Sequence, residues 1–390
     1  MSERGGPREL DAQGELDAQG ELDAQGELDA RGELETLRER VLALIERLSD
    51  GSRDTEARDE LLDRLLAAQA RVVAPYTRLA RHHAGRGWPA MPTDVFRYAR
   101  VAAHPVERDR RCFLTSGTTQ GARGAHPLAD LRTYDRAARA GARHCLFPDI
   151  ESIRLVILTP HESEAPSSSL SYMLSRFADW FGTHPTTWAW RNDRLDLPAL
   201  RDTLEESERR REPIALLGTS FAFMHADDAL QDRRFSLPPG SRIMQTGGFK
   251  GRSREVEPQA MRELLALRYG IAQHAIVAEY GMTELCSQMY ESTLRSRWLN
   301  DEPLVEGEER RLWVPGWVRV AAVDPETLER LPEGEVGLLR IDDLANIDSV
   351  ASLQTSDLAL IRDGDVVLVG RASDAIARGC SLSVEEALGR

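Results

Sequence analysis

A chain of 390 residues, 41% of them hydrophobic, can bury a full core, and its four cysteines (Cys112, Cys145, Cys286, Cys380) form no Cys-x-x-Cys pair, which excludes a disulfide-stapled miniprotein and a zinc motif of that kind. Sixty-four acidic against 50 basic residues leave a net charge of -14, which argues against nucleic acid or an anionic membrane surface as the main partner. No apolar leader and no membrane-span-length apolar run is found, so the expectation is a cytoplasmic protein without a membrane span.

In chain order, residues 9–32 repeat ELDAQG three times and end with ELDARG. The leucine period of six fits neither a helix nor a strand, and each copy ends in a helix-weakening glycine. A disordered tail over 1–34 is therefore expected. From Glu35 the spacing of Leu37, Val41, Leu44 and Leu48 predicts an amphipathic helix. A second helix is expected over 55–82, followed by irregular chain with Pro89, Pro92 and Pro105.

The segment 112–124, CFLTSGTTQGARG, runs from a strand into a loop of Thr115, Ser116, Gly117, Thr118, Thr119 and Gly121. Glycines allow close backbone approach, and successive N–H groups with hydroxyls suit phosphate oxygens. The Walker lysine pattern is absent. Beyond residue 150, the apolar runs RLVILTP, TTWAW, PIALLGTS, RIMQTGG and HAIVAEYG alternate with helical stretches at 168–181, 198–211, 220–231 and 257–269. This alternation predicts parallel βαβ units with ligands beyond the carboxyl ends of the strands. Those ends carry His161, Ser220, Lys250 and, in AEYGMTEL, Tyr280, Thr283 and Glu284. A lone glutamate with substrate phosphates is a normal Mg2+ donor set. From about 312 short strands and turns predict a small antiparallel subdomain to 371, leaving an α/β core over 35–311 and a tail over 372–390. In QTSDL, Asp357 at a strand end suits a ribose diol.

TSGTT-x-G, TGG, YGMTE, T-x-D and GR-x-x-D…RG, in this order, resemble the adenylate-forming superfamily of acyl-CoA synthetases and luciferases; GGFKG, EYGMTELCSQMY and RGCSLSVEE resemble its LuxE-type acyl-protein synthetases. The resemblance spans about residues 85–390. It implies an α/β fold of the adenylate-forming N-terminal-domain type, a small antiparallel β subdomain, and a C-terminal domain reduced to a short stub. It implies ATP and Mg2+, a carboxylic acid substrate of the long-chain fatty type, and as partners an acyl reductase and an acyl-transferase or carrier protein. Carried over residue by residue, the loop Thr115–Gly121 would cover the β- and γ-phosphates. Gly247 and Gly248 would lie along adenine, Tyr280 would stack on it, and Thr283 would touch the α-phosphate. Glu284 would hold Mg2+, Asp357 the ribose, and Arg371 would sit beside the nucleotide. This sequence departs from the family pattern at Ala122-Arg123-Gly124, where Pro-Lys is usual, and at Ser356, where Gly is usual.

The superfamily's C-terminal lysine has no counterpart here, which leaves the catalytic cation to be supplied elsewhere. Lys250 is the single lysine among 50 basic residues and is the candidate. Cys380, near the end of the chain and flanked by Arg371 and Arg378, is the candidate acyl acceptor. The other cysteines read as core residues. Three rival readings are an aryl- or acyl-CoA ligase, a non-catalytic acyl-binding scaffold, and an α/β hydrolase with Ser220 as nucleophile and His274 as base.

Overall fold

The computed structural model describes residues 9–116, 122–247, 257–300, 309–372 and 378–389. In chain order the described elements are α1 (Glu9–Arg47), α2 (Thr55–Val72), α3 (Ala74–His82), β1 (Met91–Pro92), β2 (Arg111–Leu114), β3 (Ala125–Leu128), α4 (Arg132–Cys145), β4 (Ile153–Leu158), α5 (Ser169–Phe181), β5 (Gly182–Trp188), β6 (Trp190–Arg191), β7 (Arg194–Leu195) and α6 (Leu197–Arg210). They continue with β8 (Ile214–Thr219), α7 (Ser220–Leu230), β9 (Arg242–Thr246), α8 (Pro258–Tyr269), β10 (Ile276–Tyr280), β11 (Met289–Glu291), α9 (Thr293–Asn300), β12 (Leu312–Trp313), β13 (Val318–Val323), β14 (Gly337–Asp343), β15 (Ser352–Arg362), β16 (Asp365–Arg371) and α10 (Arg378–Leu388).

The βαβ alternation is realised as a parallel half-sheet in the order β5-β4-β8-β9-β10. Its strands read as near-continuous apolar runs because helices cover both faces. Ile214–Leu217 and Ile276–Val277 are fully buried. The sheet does not stop there. β11 pairs antiparallel with β10, and β12, β16, β15, β14 and β13 follow in the same sheet, with β1 added beside β15. The chain from 312 to 371, expected as a small antiparallel sheet appended to the α/β body, is antiparallel and forms the wing of one mixed twelve-stranded sheet. The short strands β11 and β12, of three and two residues, make the join, and no sequence pattern marks so short a pairing.

The repeats depart from expectation. Residues 9–32, read as a disordered tail, lie within the single helix α1, which runs to Arg47. Glu, Leu, Ala and Gln are good helix formers, and each glycine costs about 1 kcal/mol rather than a break. Ala30 and Leu34 are buried, as are Leu37, Val41, Leu44 and Leu48, the face expected from their spacing. The helix expected over 55–82 is two helices, α2 and α3, parted at Val73, because Pro75 has no N–H to continue the ladder. The tail 372–390 carries α10, which packs on α3.

One buried segment ties these layers together. Residues 342–352 place Asp342, Asp343, Asn346, Asp348, Ser349 and Ser352 out of water. Arg38 of α1 donates to Asp348 at 2.6 Å, and Gln69 of α2 donates to the Asn346 carbonyl at 2.7 Å while accepting from Ala351 N–H. Among the described residues, no helix is long and apolar enough to cross a membrane.

Candidate active site

The site residues gather beyond the carboxyl ends of β9 and β10, where the parallel half meets the antiparallel wing. On the wing side, β15 and β16 pair Asp357 with Arg371 in register, after a bulge at Leu358/Ala359 that re-aims the strand end. The Arg371 Nε lies 4.0 Å from the Asp357 carboxylate, and the Tyr280 hydroxyl donates to the same carboxylate at 2.7 Å. Burial, and then the neighbouring Asp357 charge, raise the Tyr280 phenol well above its ordinary range, so it stays a donor. Tyr280, Asp357 and Arg371, singled out separately in the sequence, form one cluster.

The base of the glycine-rich loop is closed by its own backbone. Thr115 N–H donates to the Gly124 carbonyl, Gly124 N–H donates to the Thr115 hydroxyl, both at 2.9 Å, and Arg123 donates to the carbonyls of Leu114 and Thr115. Arg123 therefore pins the loop's root. Ser116 is exposed at its start. A Cβ on Gly124 would stand 3.5 Å from Oε1 of Glu284 and 3.0 Å from the Thr115 methyl, so the glutamate abuts the root of this loop. Gly117, Thr118, Thr119 and Gly121, as well as Gly248 and Lys250, lie outside the described residues.

The turn carrying Thr283 and Glu284 is braced from three directions. His126 of β3 donates from Nδ1 to the Thr283 carbonyl at 2.7 Å and meets the Ser349 hydroxyl through Nε2 at 2.9 Å. Burial pushes His126 down to about 4, so the ring is neutral and Nε2 accepts. Asn346 donates to the Glu284 carbonyl at 2.9 Å. Asp343 accepts from Cys286 N–H, Ser287 N–H, the Ser287 hydroxyl and Ala345 N–H, and Trp317 Nε1 donates to Ser287. Sequence reading missed these braces.

On the parallel side, Gly247 has φ +74°, a left-handed position that glycine adopts without penalty. Its carbonyl accepts from Ser220 at 2.8 Å, and the same hydroxyl bonds Gln245. Ser220 is thereby a buried strut. His274 precedes β10 while Ser220 follows β8, at opposite ends of parallel strands, so the proposed nucleophile and base of a hydrolase are not brought together. Glu279, beside Tyr280, was also missed: it is buried, and its carboxyl accepts from the Thr246 hydroxyl across the β9–β10 pair. Burial pushes it up to about 7.

His161 holds Ser163 at 2.9 Å and meets Trp188 edge-on at 4.7 Å; with Trp180 and Trp190, Trp188 packs against the core. Cys145 and Cys286 are buried, and desolvation raises both thiols as it does that of Cys112. The backbone of Cys380 lies in the first turn of α10; its side chain is outside the described residues. α10 is anchored at its far end, where Arg78 donates to the Ala387 carbonyl at 2.8 Å and Glu386 lies 3.3 Å from His83.

No group of three or more metal-ligating side chains exists among the described residues. A single buried carboxylate beside a loop that suits phosphate fits Mg2+ that arrives with a nucleotide, since that ion takes one or two carboxylates and otherwise phosphate and water oxygens.

Comparison with known proteins gives three findings. The family described as acyl-protein synthetase, LuxE, matches residues 86–389. A long-chain-fatty-acid–luciferin-component ligase from Aliivibrio fischeri is 24% identical over 312 residues, 76% of this chain and 77% of the relative. Among solved structures, an open conformation of 2-hydroxyisobutyryl-CoA ligase in complex with 2-HIB-AMP and CoA superposes with a TM-score of 0.57 at 13% identity, covering 83% of this chain and 76% of that one, which supports the fold. ATP-bound MatB from Rhodopseudomonas palustris gives a TM-score of 0.47 at 17% identity over 69% of this chain, and the chain spans 49% of that protein's length.

Proposed function

The chain belongs to the acyl-protein synthetase, LuxE, family of ligases, and from that premise we propose that it uses ATP to convert a carboxylic acid, of the long-chain fatty class named for its relative, into an acyl-adenylate and then transfers the acyl group to a protein thiol, Cys380. The observation that carries the proposal is the meeting of the phosphate-loop root, Glu284, and the Tyr280–Asp357–Arg371 cluster at the carboxyl ends of the parallel strands.

In this reading Asp357 accepts from the ribose hydroxyls while Tyr280 and Arg371 fix its carboxylate. Thr115, Ser116 and the loop to Gly121 donate to the terminal phosphates, and Thr283 to the α-phosphate. Gly247 and Gly248 leave room for the base. Mg2+, held by Glu284, would neutralise phosphate charge. Lys250 brings the substrate carboxylate to the α-phosphorus. One carboxylate oxygen forms the new P–O bond and pyrophosphate leaves with the electrons of the broken one. This step needs charge neutralisation and alignment more than covalent help. The Cys380 thiolate then attacks the acyl carbonyl of the mixed anhydride; AMP departs and a thioester remains. A short tail rooted at Ala387 suits delivery to an acyl reductase, directly or through an acyl-transferase or carrier protein.

The test is carboxylate-dependent ATP–pyrophosphate exchange over a panel of acids, with intact mass of the protein. Cys380→Ser should keep exchange and lose the acyl mass. An acyl adduct that persists in Cys380→Ser moves the acceptor elsewhere. Absence of exchange with every acid removes the reading and leaves a scaffold.

A further inference from the structure

Two glycine turns border the base of the proposed nucleotide site, one after β9 and one after β10, and a single side chain lies between them. Glu279 pairs with Thr246 in the strand register and accepts the Thr246 hydroxyl through Oε2. Its other oxygen, Oε1, lies over the Cα of Gly281: a Cβ there would overlap Oε1, and would stand 3.4 Å from Cγ of Gln288. Gln288 is itself buried, and its amide oxygen has no hydrogen-bond partner among the described residues. Among the described residues, no basic group bears on this carboxyl: burial raises it, and only the Thr246 hydroxyl opposes that. Among the described residues, the titratable side chains that face it are Tyr134 from α4 and Tyr290 from β11, both buried and both held uncharged, and β9 offers the Thr246 hydroxyl. An ionised carboxylate without a cation is costly in such a place, and a neutral acid is not.

We propose that Glu279 is a positioning residue that works as an uncharged acid: by bridging Thr246 and the bare Cα of Gly281 it sets the spacing of the Thr246–Gly247 and Tyr280–Gly281 turns, and so the width of the slot that receives the purine of the nucleotide. The inference rests on the acyl-adenylate reading for the identity of the ligand. It goes beyond that reading in giving the slot a group that touches neither base nor phosphate and whose ionisation opens it. It also supplies a reason for glycine at 281 that is independent of backbone conformation.

Three consequences follow from the geometry. Ionisation of Glu279 should loosen the slot, so ATP affinity should fall as pH rises through about 7. Glu279→Gln cannot ionise and keeps the shape, so its affinity should not follow pH. Gly281→Ala should act by displacing Glu279, and should therefore cost little once residue 279 has been shortened.

The experiment measures KM for ATP and kcat of pyrophosphate exchange between about pH 6 and 8.5, with thermal melts as a check on folding. The wild-type KM should rise ~10-fold over the upper part of this range, since each pH unit above the transition shifts the balance about tenfold. Glu279→Gln should stay flat to within about 2-fold, with kcat close to wild type at the acid end. Thr246→Val and Gly281→Ala should each raise KM ~10-fold while kcat moves less than about 3-fold, as expected for groups that place the ligand rather than react. In the Glu279→Ala background, Gly281→Ala should add less than about 2-fold, the non-additivity of a shared contact. A Glu279→Gln profile that parallels wild type, or full additivity of Glu279→Ala with Gly281→Ala, overturns the proposal. Failure of wild type to exchange at any pH is a separate outcome: it removes the acyl-adenylate reading and this inference with it.

Discussion

The two turns after β10 and β9 differ in how they are held. The Thr283–Ser287 turn is gripped by His126, Asn346, Asp343 and Trp317, all buried and drawn from β3, the 342–352 segment and the chain before β13. Among the described residues, the Thr246–Gly247 turn is held by two side chains, the Ser220 hydroxyl and the Glu279 carboxyl. The first set engages the Thr283 and Glu284 carbonyls and the Cys286 and Ser287 N–H groups, so Glu284 is presented from a braced support. The second is a two-point suspension. In the proposed reading Glu284 would hold a metal against developing phosphate charge and would gain from preorganisation, whereas a slot that admitted and released a base would tolerate play. The difference predicts that damage on the braced side shows as lost catalysis or lost fold, and damage on the other side as altered affinity.

The largest effect belongs to Glu284. Glu284→Gln keeps the shape and removes the negative charge, so pyrophosphate exchange should fall on the order of 10²–10³-fold, as when one preorganised electrostatic group is deleted. ATP-dependent thermal stabilisation should become insensitive to added Mg2+. A near-normal rate would break the comparison at its root.

Next come the braces. Asp343→Ala strands three backbone N–H groups and a hydroxyl inside the protein and should destabilise the fold by about 4 kcal/mol, read by urea denaturation. His126 gives the same side a pH signature. Its proton affinity is depressed by burial, as is that of His144, which is stacked on Trp313. A histidine whose folded value lies below its unfolded one stabilises the neutral-pH fold, and that stability is lost as pH falls below the unfolded value near 6.5 and levels off near the folded one. At about pH 5 each should have lost about 2 kcal/mol. His126→Gln should flatten part of this acid limb in melts from about pH 7 to 5.

How far the sequence announces all this depends on the range of the interaction. The alternation after residue 150 and the glycine-bearing strand ends are local patterns, and β4, β8, β9 and β10 lie where those patterns place them. Tyr280 could be picked out because it ends an apolar strand, and Asp357 because a strand end is expected there; β15 in fact runs on past Asp357 to Arg362, so the aspartate lies in mid-strand. Their hydrogen bond could not, since it depends on β10 and β15 meeting through a sheet whose order leaves chain sequence. His126 in AHPL, Asn346 and Asp343 carry no periodic signal at all: a single polar residue in an apolar stretch looks the same whether it faces water or braces a turn 60 or 150 residues away. The repeats mislead for the opposite reason, because six-residue periodicity hides good helix formers whose glycines weaken a helix without ending it.

The smallest expected effect is the most direct measure of the loosely held side. Ser220→Ala removes the hydroxyl that reaches both Gln245 and the Gly247 carbonyl. It leaves a buried acceptor with one partner fewer and should destabilise the fold by about 1 kcal/mol, a shift of a few degrees or less in the melting temperature of a chain this long. The affinity for ATP should weaken by no more than about 3-fold, because Glu279 still bridges the same turn, and kcat should stay within about 2-fold, because no atom of Ser220 contacts reacting groups. Thr246→Val in the Ser220→Ala background removes both supports at once. If the two-point suspension is right, the double variant should lose more ATP affinity than the product of the single losses, since each support masks the absence of the other. Strict multiplicativity would mean that the turn is held by something else.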